Sequence, residues 1–416
     1  MTIWILALAC LGAAGYVGYT RRVIRVAMSL VGILLGFALA PVLGPLLAPV
    51  MRRAISIVVL ADALAPLAVF LIISIGFKVA AGALHNKVEQ SFRYKATDTR
   101  LIHWERLTSR LGGCLGLLNG LLYFYLLCTV FYVGGYLTTQ ITTPENSTLV
   151  HQVFNRVSRD LNSTGMQKSI VAIDPMPPAY YDAADIVGNL YHNRLLLSRV
   201  SRYPFFLGMA ERPDFQEIAS DPQANELLAT GSTVGEILAN PKIKALLEDA
   251  SIVDELKQLD VADLKTFVDT EKSPKYSSER MLGRWEFDIS NSLEQTRLLQ
   301  PSITPKRMLE LNRELGAAFL DATFTAAPDG LAFIKSVPPP APLKPGQPIP
   351  PLTTTAPKMV AKGKWSAASA DYAVSFSSVD PHPLYQILKS PAKARFQEKI
   401  LFIEMGNVVL AFTAEQ

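Results

Sequence analysis

Residues 3–19, IWILALACLGAAGYVGY, and residues 26–50, VAMSLVGILLGFALAPVLGPLLAPV, decide the fold because neither stretch contains a charged residue. The same apolar pattern recurs in residues 63–84, where Lys78 is the single charged residue, and in residues 111–137. The hydrocarbon core of a bilayer is about 30 Å thick, and about 20 apolar residues in a helix cross it. The sequence therefore predicts a bundle of four transmembrane helices.

Basic residues are concentrated in this membrane part. Residues 1–137 hold 12 Lys and Arg against 4 Asp and Glu, so they carry a net charge of +8 while the whole chain carries +4. This distribution predicts contact with anionic lipid headgroups and excludes a nucleic-acid partner. The cysteines, Cys10, Cys114 and Cys128, all lie within predicted helices, so no disulfide framework is expected.

The short loops predict the orientation of the bundle, because loops rich in Lys and Arg stay in the cytoplasm. The two most basic loops join helices one to two and three to four. The arginines expected to set the topology are Arg21, Arg22, Arg25, Arg106 and Arg110. Both termini are therefore predicted to be periplasmic.

Two arginines do not follow this rule. Arg52 and Arg53 would lie on the outer side, between helices two and three. We assign them to a short interfacial helix, residues 51–60, whose long side chains reach the headgroups. Proline residues should end helix two near Pro41.

Small residues recur at intervals of four in the predicted helices. In lipid, helices associate through close backbone approach, which small residues permit. The predicted helix-packing residues are Gly32, Gly36, Gly44, Gly112, Gly116 and Gly120. The alternative is a wet pore lined by glycine backbone.

Asp62 is an acid close to a predicted span, just before Ala63. An ionisable group in a membrane helix can serve as a proton relay. The same position equally suits an N-cap of the third helix. Asp62 is thus a candidate intramembrane polar site with two interpretations.

The order and spacing of four features resemble the colicin V production family of bacterial inner-membrane proteins. The features are GYTRRVIRVAMSLVGILLGFALAP, residues 18–41; the proline-bearing interfacial stretch; ADALAPLAVFLIISIGFKVAAGAL, residues 61–84; and SRLGGCLGLLNGLL, residues 109–122. Members usually have glycine where this chain has Arg22. The resemblance implies an inner-membrane location and a role in toxin production or envelope physiology. Some relatives carry a trypsin-like protease after the same helices, on the outer side.

Beyond this transmembrane domain, residues 1–140, we predict an extracytoplasmic helical module, residues 141–279. Within it a 19-residue repeat aligns the Asp221-Pro222 and Asn240-Pro241 pairs. Asp or Asn before Pro is typical of an N-cap followed by the first helical residue. A half-copy follows, with Asp249 at the cap position. A compact group of short helices is expected.

Residues 280–416 are predicted to form a small antiparallel β domain. A Gly-x-Trp motif opens a strand at Gly283, an Asp-Gly pair marks a hairpin after residues 323–328, and a second Gly-x-Trp begins at Gly363. A helix with a Thr304 cap lies between them. Together these features resemble the small lipocalin-like domains of bacterial envelope proteins. A proline-rich loop, residues 337–357, interrupts the domain.

The two motif tryptophans, Trp285 and Trp365, have two interpretations. They could stack on a ligand, or they could pack in the core of the β domain, as large aromatic residues commonly do.

Catalytic signatures are missing from the sequence. It contains no GxSxG, Walker, HExxH, CxxC or dinucleotide-binding motif, and its five histidines show no metal-ligand spacing. We therefore predict no enzymatic activity, no cofactor and no metal.

Three classes of function follow from these patterns. The first is an envelope scaffold that displays a periplasmic module for a protein or wall-component partner, with a link to toxin production or secretion. The second is a channel or transport accessory, whose sparse polar lining would be Asp62, Ser74, Asn119 and Thr129. The third, an unrecognised hydrolase, lacks a nucleophile in a recognisable context.

Overall fold

The computed structural model describes residues 2–95, 98–142, 148–174, 176–193, 195–230, 234–319, 321–337, 357–368 and 371–415. Apart from its two end residues, the predicted proline-rich loop lies outside the described residues. The chain divides into two compact units. The first comprises residues 1–193 and 220–261, and the second comprises residues 194–219 and 262–416. The predicted helical module of residues 141–279 is therefore shared between the two units.

Helices precede the β domain and also interrupt it. In chain order they are α1 Thr2–Ala54, α2 Val58–Lys95, α3 Asp98–Ile141, α4 Leu149–Ser163, α5 Gln167–Val171, α6 Pro178–His192, α7 Leu195–Arg202, α8 Pro204–Met209, α9 Pro213–Ala219, α10 Pro222–Thr230, α11 Val234–Ala239, α12 Pro241–Glu248, α13 Ala250–Leu256, α14 Val261–Thr270, α15 Ile289–Leu299 and α16 Pro305–Ala318.

Over the described residues, three helices, α1, α2 and α3, are long and apolar enough to cross a membrane. Four separate spanning helices are not seen, because the first two predicted spans both lie in α1, on either side of Arg22. The separate interfacial helix is also wrong, because residues 51–54 complete α1 and α2 begins at Val58.

The helix predicted to end near Pro41 continues to Ala54, through Pro41, Pro45 and Pro49. Each proline lacks an N–H and crowds the carbonyl four residues before it. The spacing of four places all three rings along one exposed face, so the lost hydrogen bonds fall in a single row. The remaining rows of bonds keep the helix continuous.

Arg22 breaks α1 with φ 64° and ψ 165°. Ile3 belongs to a cluster that contains Phe124, and Ile33 packs against Leu122 and its neighbours. In one straight helix Ile3 and Ile33 would be about 45 Å apart, whereas Leu122 and Phe124 differ by about 3 Å along α3. The chain therefore reverses at Arg22, and α1 is a hairpin of two helical arms.

The short helices α10–α13 belong to the first unit. The predicted helix starts at Pro222 and Pro241 are confirmed. Asn240 accepts hydrogen bonds from the N–H groups of Lys242 and Ile243 at 3.0 and 3.2 Å. The predicted Asp249 cap is also confirmed, since it accepts from the Ser251 N–H at 2.7 Å.

The second unit contains a closed antiparallel barrel of eight strands, which is consistent with a lipocalin-like domain. Each strand pairs with the next in the chain, and the first pairs with the last. The strands are β1 Gly283–Asp288, β2 Thr323–Ala326, β3 Leu331–Ser336, β4 Lys358–Ala368, β5 Asp371–Val379, β6 Ala392–Gln397, β7 Ile400–Met405 and β8 Val408–Ala414. A 3₁₀ helix, Pro383–Lys389, joins β5 to β6.

Several local predictions for this domain are confirmed. Asp329 and Gly330 form the turn between β2 and β3, and Gly330 has φ 77°, which glycine adopts freely. Thr304 caps α16 by accepting from the Arg307 N–H at 3.3 Å.

The prediction that a strand begins at Gly363 is wrong, because this residue lies in the middle of β4. Glycine is required there since a Cβ atom would be 2.0 Å from the Ser375 carbonyl oxygen.

Side chains fill the inside of the barrel. Phe324, Ile334, Leu401 and Phe412 are fully buried in one cluster, to which α16 contributes Leu315 and its apolar neighbours. Outside the barrel, α15 lies along β8. Interiors of small barrels are commonly filled in this way.

Candidate functional site

The predicted packing glycines of α3 lie against the first arm of α1. A Cβ atom at Gly116 would be 2.4 Å from the Ala14 carbonyl oxygen, and one at Gly120 would be 2.9 Å from that of Cys10. At Gly112 it would be 2.5 Å from the carbonyl oxygen of Gly18. The two backbones approach so closely that no side chain fits between them.

The packing glycines of α1 lie in its second arm and face α2. A Cβ atom at Gly32 would be 2.6 Å from the Cβ of Phe77, and one at Gly44 would be 2.8 Å from Pro66 Cγ. Gly36 lies between them, against Phe70. The second arm is therefore held along α2 by the same kind of contact.

A polar network surrounds the reversal of α1. The guanidinium of Arg22 pairs with Glu89 of α2 and Glu105 of α3, each at 3.3 Å. His85 Nε2 lies 3.2 Å from Glu89. Arg22, predicted from its charge alone, thus connects three helices at the residue where the backbone is left-handed.

Next to this network, the arms of α1 enclose with α2 and α3 a cavity of about 450 Å³. Three cations line it, Arg21 and Arg25 of α1 and Lys78 of α2. Lys78 Nζ lies 5.8 Å from the centre of the Tyr123 ring. Arg25 donates to Asn86 Oδ1 at 3.1 Å. The other predicted topology residues, Arg106 and Arg110, are exposed on α3 and do not line this cavity.

The sparse polar residues proposed as a channel lining occupy separate positions. Asn119 is 5% exposed and donates to the Val26 carbonyl at 3.2 Å, while its Oδ1 has no hydrogen-bond partner among the described residues. The same holds, over that part of the chain, for the buried Ser74 Oγ. Thr129 bonds the Tyr125 carbonyl at 3.0 Å within its own helix. Among these three, Asn119 lines the cavity.

Asp62 lies inside α2, four residues after its first residue, so the N-cap interpretation is wrong. Its two carboxylate oxygens accept from Arg52 Nε and Nη2, both at 2.7 Å. Lys257 Nζ also donates to Asp62, at 2.7 Å, and to Asp254, at 2.8 Å. Two cations therefore hold Asp62, and the carboxylates stabilise the charged ammonium and raise the pKa of Lys257.

The sequence did not indicate this ion cluster. Arg52, expected to reach lipid headgroups, pairs with Asp62, ten residues away across a short break. Lys257 is 195 residues from Asp62, and no sequence pattern indicates that contact.

A buried polar cluster in the second unit was not predicted. Asp263 is 8% exposed and accepts from the Tyr203 hydroxyl at 2.8 Å, the Lys275 N–H at 3.0 Å and the Ser273 hydroxyl. Burial raises the pKa of Asp263, but hydrogen bonds from Ser273, Lys275 and Tyr203 outweigh burial, so the pKa lies below its usual range. In the same unit, Arg199 donates to the Val268 carbonyl at 3.0 Å.

Both candidate ligand-facing tryptophans make main-chain hydrogen bonds. Trp285 is 8% exposed, and its Nε1 donates to the Met281 carbonyl at 3.0 Å. Trp365 Nε1 donates to the Ala327 carbonyl at 2.9 Å. Such bonds are typical of buried indoles, whose N–H group needs a partner.

Three of the described histidine rings contact main-chain groups. His192 contacts the Gln140 carbonyl at 2.8 Å, His103 the Thr99 carbonyl at 2.8 Å, and His382 the Leu384 N–H at 3.3 Å. Within the described residues, no group of three or more His, Cys, Asp or Glu residues could hold a metal ion.

Comparison of the chain with protein-family models, with curated proteins and with solved structures finds no match.

Proposed function

We propose that this protein is an envelope scaffold of the colicin V production type, anchored in the bacterial inner membrane. Its barrel unit binds a partner protein or an envelope component on the periplasmic side, without enzymatic activity. The observation that carries this proposal is the filled barrel interior, where Phe324 and Phe412 are fully buried. A barrel whose interior is occupied by its own side chains binds through its outer surface. The family resemblance adds a link with toxin production or secretion.

We further propose that each arm of α1 crosses the membrane, which restores four crossings. Both arms are apolar, and the backbone reverses between them at Arg22. The second arm spans residues 23–54, about 48 Å at the rise of an α-helix, which exceeds the bilayer core even when tilted. With four crossings both termini lie on the same side.

The surface best suited to a partner lies on α15 and α16. A groove of about 380 Å³ on these helices is lined by Leu293, Met308 and Leu309, together with Arg297 and Asn312. Leu309 is 54% exposed. Apolar floors with a few polar groups at the rim are typical of protein-binding sites.

In-cell photo-crosslinking tests this surface. The full-length protein is made with a photoreactive phenylalanine analogue at Leu309, and with the same analogue at Lys393, an exposed position on β6, as the matched control. We expect a discrete crosslinked product from position 309 and none from position 393. If both positions give the same products, or position 309 gives none, the groove is not the partner surface.

A channel or transport accessory is the second candidate. Support for it comes from the cation-lined cavity. The purified protein in liposomes would then pass small anions faster than protein-free liposomes. Replacement of Arg25 by glutamine would lower that flux.

A further inference from the structure

The cavity at the reversal of α1 contains more positive charge than its surroundings compensate. Arg21, Arg25 and Lys78 all line it. Over the described residues, no carboxylate pairs with any of these three cations. By contrast, the neighbouring Arg22 has Glu89 and Glu105 as partners. The two glutamates therefore neutralise Arg22 but not the three cations that line the cavity.

Uncompensated cations are costly near the hydrocarbon of a membrane, and like charges around one cavity also repel each other. Donor groups at the site are incompletely satisfied as well, since over the described residues Arg25 Nε has no hydrogen-bond partner. A bound anion with several oxygen atoms would remove the repulsion and accept hydrogen bonds from the accessible donors of these cations.

Much of the remaining cavity wall is apolar and made of small residues, among them Ala13, Ala14, Val17 and Ala81. A free inorganic anion would gain nothing from this wall, whereas the upper part of an acyl chain would bury apolar surface against it. The combination of several cations with an apolar wall matches a lipid rather than a solute.

We propose that this cavity is a specific site for one anionic phospholipid, whose phosphate is held by Arg21, Arg25 and Lys78. Basic pockets between membrane helices bind lipid headgroups in this way. Guanidinium groups suit phosphate because they donate two parallel hydrogen bonds. The proposal depends on the packing of α1, α2 and α3 and not on the scaffold role of the barrel.

Lipid binding to the purified full-length protein in neutral detergent tests the site. Affinities are measured by native mass spectrometry for phosphatidylglycerol and for phosphatidylcholine with the same acyl chains. We expect one tightly bound phosphatidylglycerol and weaker, unsaturated binding of phosphatidylcholine. Arg25→Gln and Lys78→Gln should each lower the affinity for phosphatidylglycerol about fivefold, the effect expected of one basic residue near a lipid phosphate.

The matched control is Arg110→Gln, which removes an exposed cation of α3 outside the cavity. Equal losses of affinity in Arg110→Gln and Arg25→Gln would mean general attraction to a basic surface and would overturn the site. Equal affinity for the two lipids would overturn it as well. Glycerol phosphate and inorganic phosphate form further arms, and competition by either at the affinity of the lipid would assign the site to a soluble anion.

A wild-type measurement covers the case in which the variants do not fold. Phosphatidylglycerol with a photoreactive group near the top of one acyl chain is added to the unmodified protein. The crosslink should map to residues 10–29 of α1, 78–81 of α2 or 116–123 of α3, which border the cavity. Crosslinks confined to other parts of the helices would contradict the proposal.

Discussion

Arg22 illustrates how one residue decides the course of the chain. Its φ of 64° and ψ of 165° lie in a region that glycine occupies and other residues avoid. The ion pairs with Glu89 and Glu105 offset part of that strain. Glycine at this position would adopt the conformation without cost but would not form the pairs.

The strain predicts an unusual order of stability. Arg22→Ala and Arg22→Gly both lose the ion pairs, but alanine keeps the strain, so we expect it to be less stable than glycine by about 1–3 kcal/mol. At Arg21, in regular helix, the order should be reversed, because glycine costs about 1 kcal/mol relative to alanine. Unfolding of the four variants in detergent by added dodecyl sulfate measures both differences. The same order at both positions would show that Arg22 is not strained.

The buried carboxylate of Asp263 makes the free energy of unfolding depend on pH. Its pKa is below the ordinary value in the folded protein, so it contributes stability that is present above the unfolded pKa of about 3.9. That contribution is lost as the pH falls through the folded pKa. We therefore expect Asp263→Asn to be less stable than the wild type at pH 7, and the difference to shrink below pH about 4. Thermal unfolding followed by circular dichroism at both pH values measures it, and a constant difference would contradict the assignment.

At the scale of elements, the contact between α1 and α3 depends on which α3 glycines face α1. Gly116→Ala places a Cβ 2.4 Å from the Ala14 carbonyl oxygen, whereas at Gly113 the nearest atom, Tyr19 Cβ, is 3.8 Å away. We expect Gly116→Ala to cost about 1–3 kcal/mol, the usual penalty of overpacking, and Gly113→Ala to be tolerated. The fraction of folded monomer in mild detergent is the measurement. Equal tolerance of both changes would show that α3 does not pack against α1 through this face.

In the barrel, α15 continues the hydrogen bonding of β8 where β1 ends. Ser292 Oγ accepts from the Ala411 N–H at 2.8 Å, and Thr296 Oγ1 accepts from the Val409 N–H at 3.0 Å. Both side chains are fully buried. A helix thus satisfies strand N–H groups that would otherwise be buried without partners.

Replacing Thr296 by valine keeps its shape but leaves the Val409 N–H unpaired. We expect a loss of about 1–3 kcal/mol in the free energy of unfolding. The control is Thr266→Val on α14, where the hydroxyl is exposed and donates to its own helix; this change should be close to neutral. Urea unfolding of the two variants, followed by tryptophan fluorescence, separates them, and equal effects would rule out a special role for Thr296.

For the whole molecule, the crossings of α1 determine where the barrel unit lies. If each arm of α1 crosses, alkaline phosphatase fused after residue 416 should be active and a cytoplasm-dependent fluorescent protein fused there should be dark. An epitope at the N-terminus should be accessible from the same side. Termini on opposite sides would mean that α1 crosses once. A cytoplasmic C-terminus with a cytoplasmic N-terminus would mean that Arg52 and Arg53 set the topology.

The sequence by itself determined the features that depend on neighbouring residues. The apolar stretches, the Thr304, Asn240 and Asp249 caps and the Asp329-Gly330 turn are all governed by local conformation and hydropathy. The same local signals were misleading where tertiary packing outweighed them. Prolines spaced by four residues left the other hydrogen-bond rows of α1 intact, so the helix did not end near Pro41.

Only the tertiary structure decided which distant groups meet. Barrel closure pairs Trp285 with Ala414, and Lys257 reaches Asp62 across 195 residues. The cavity likewise combines Arg21 and Arg25 with Lys78 of another helix. Such contacts depend on the path of the whole backbone, because charge and hydrogen-bonding capacity specify a kind of partner but not its position in the chain. The left-handed Arg22 reverses that path, and so determines which helices share the cations of the cavity.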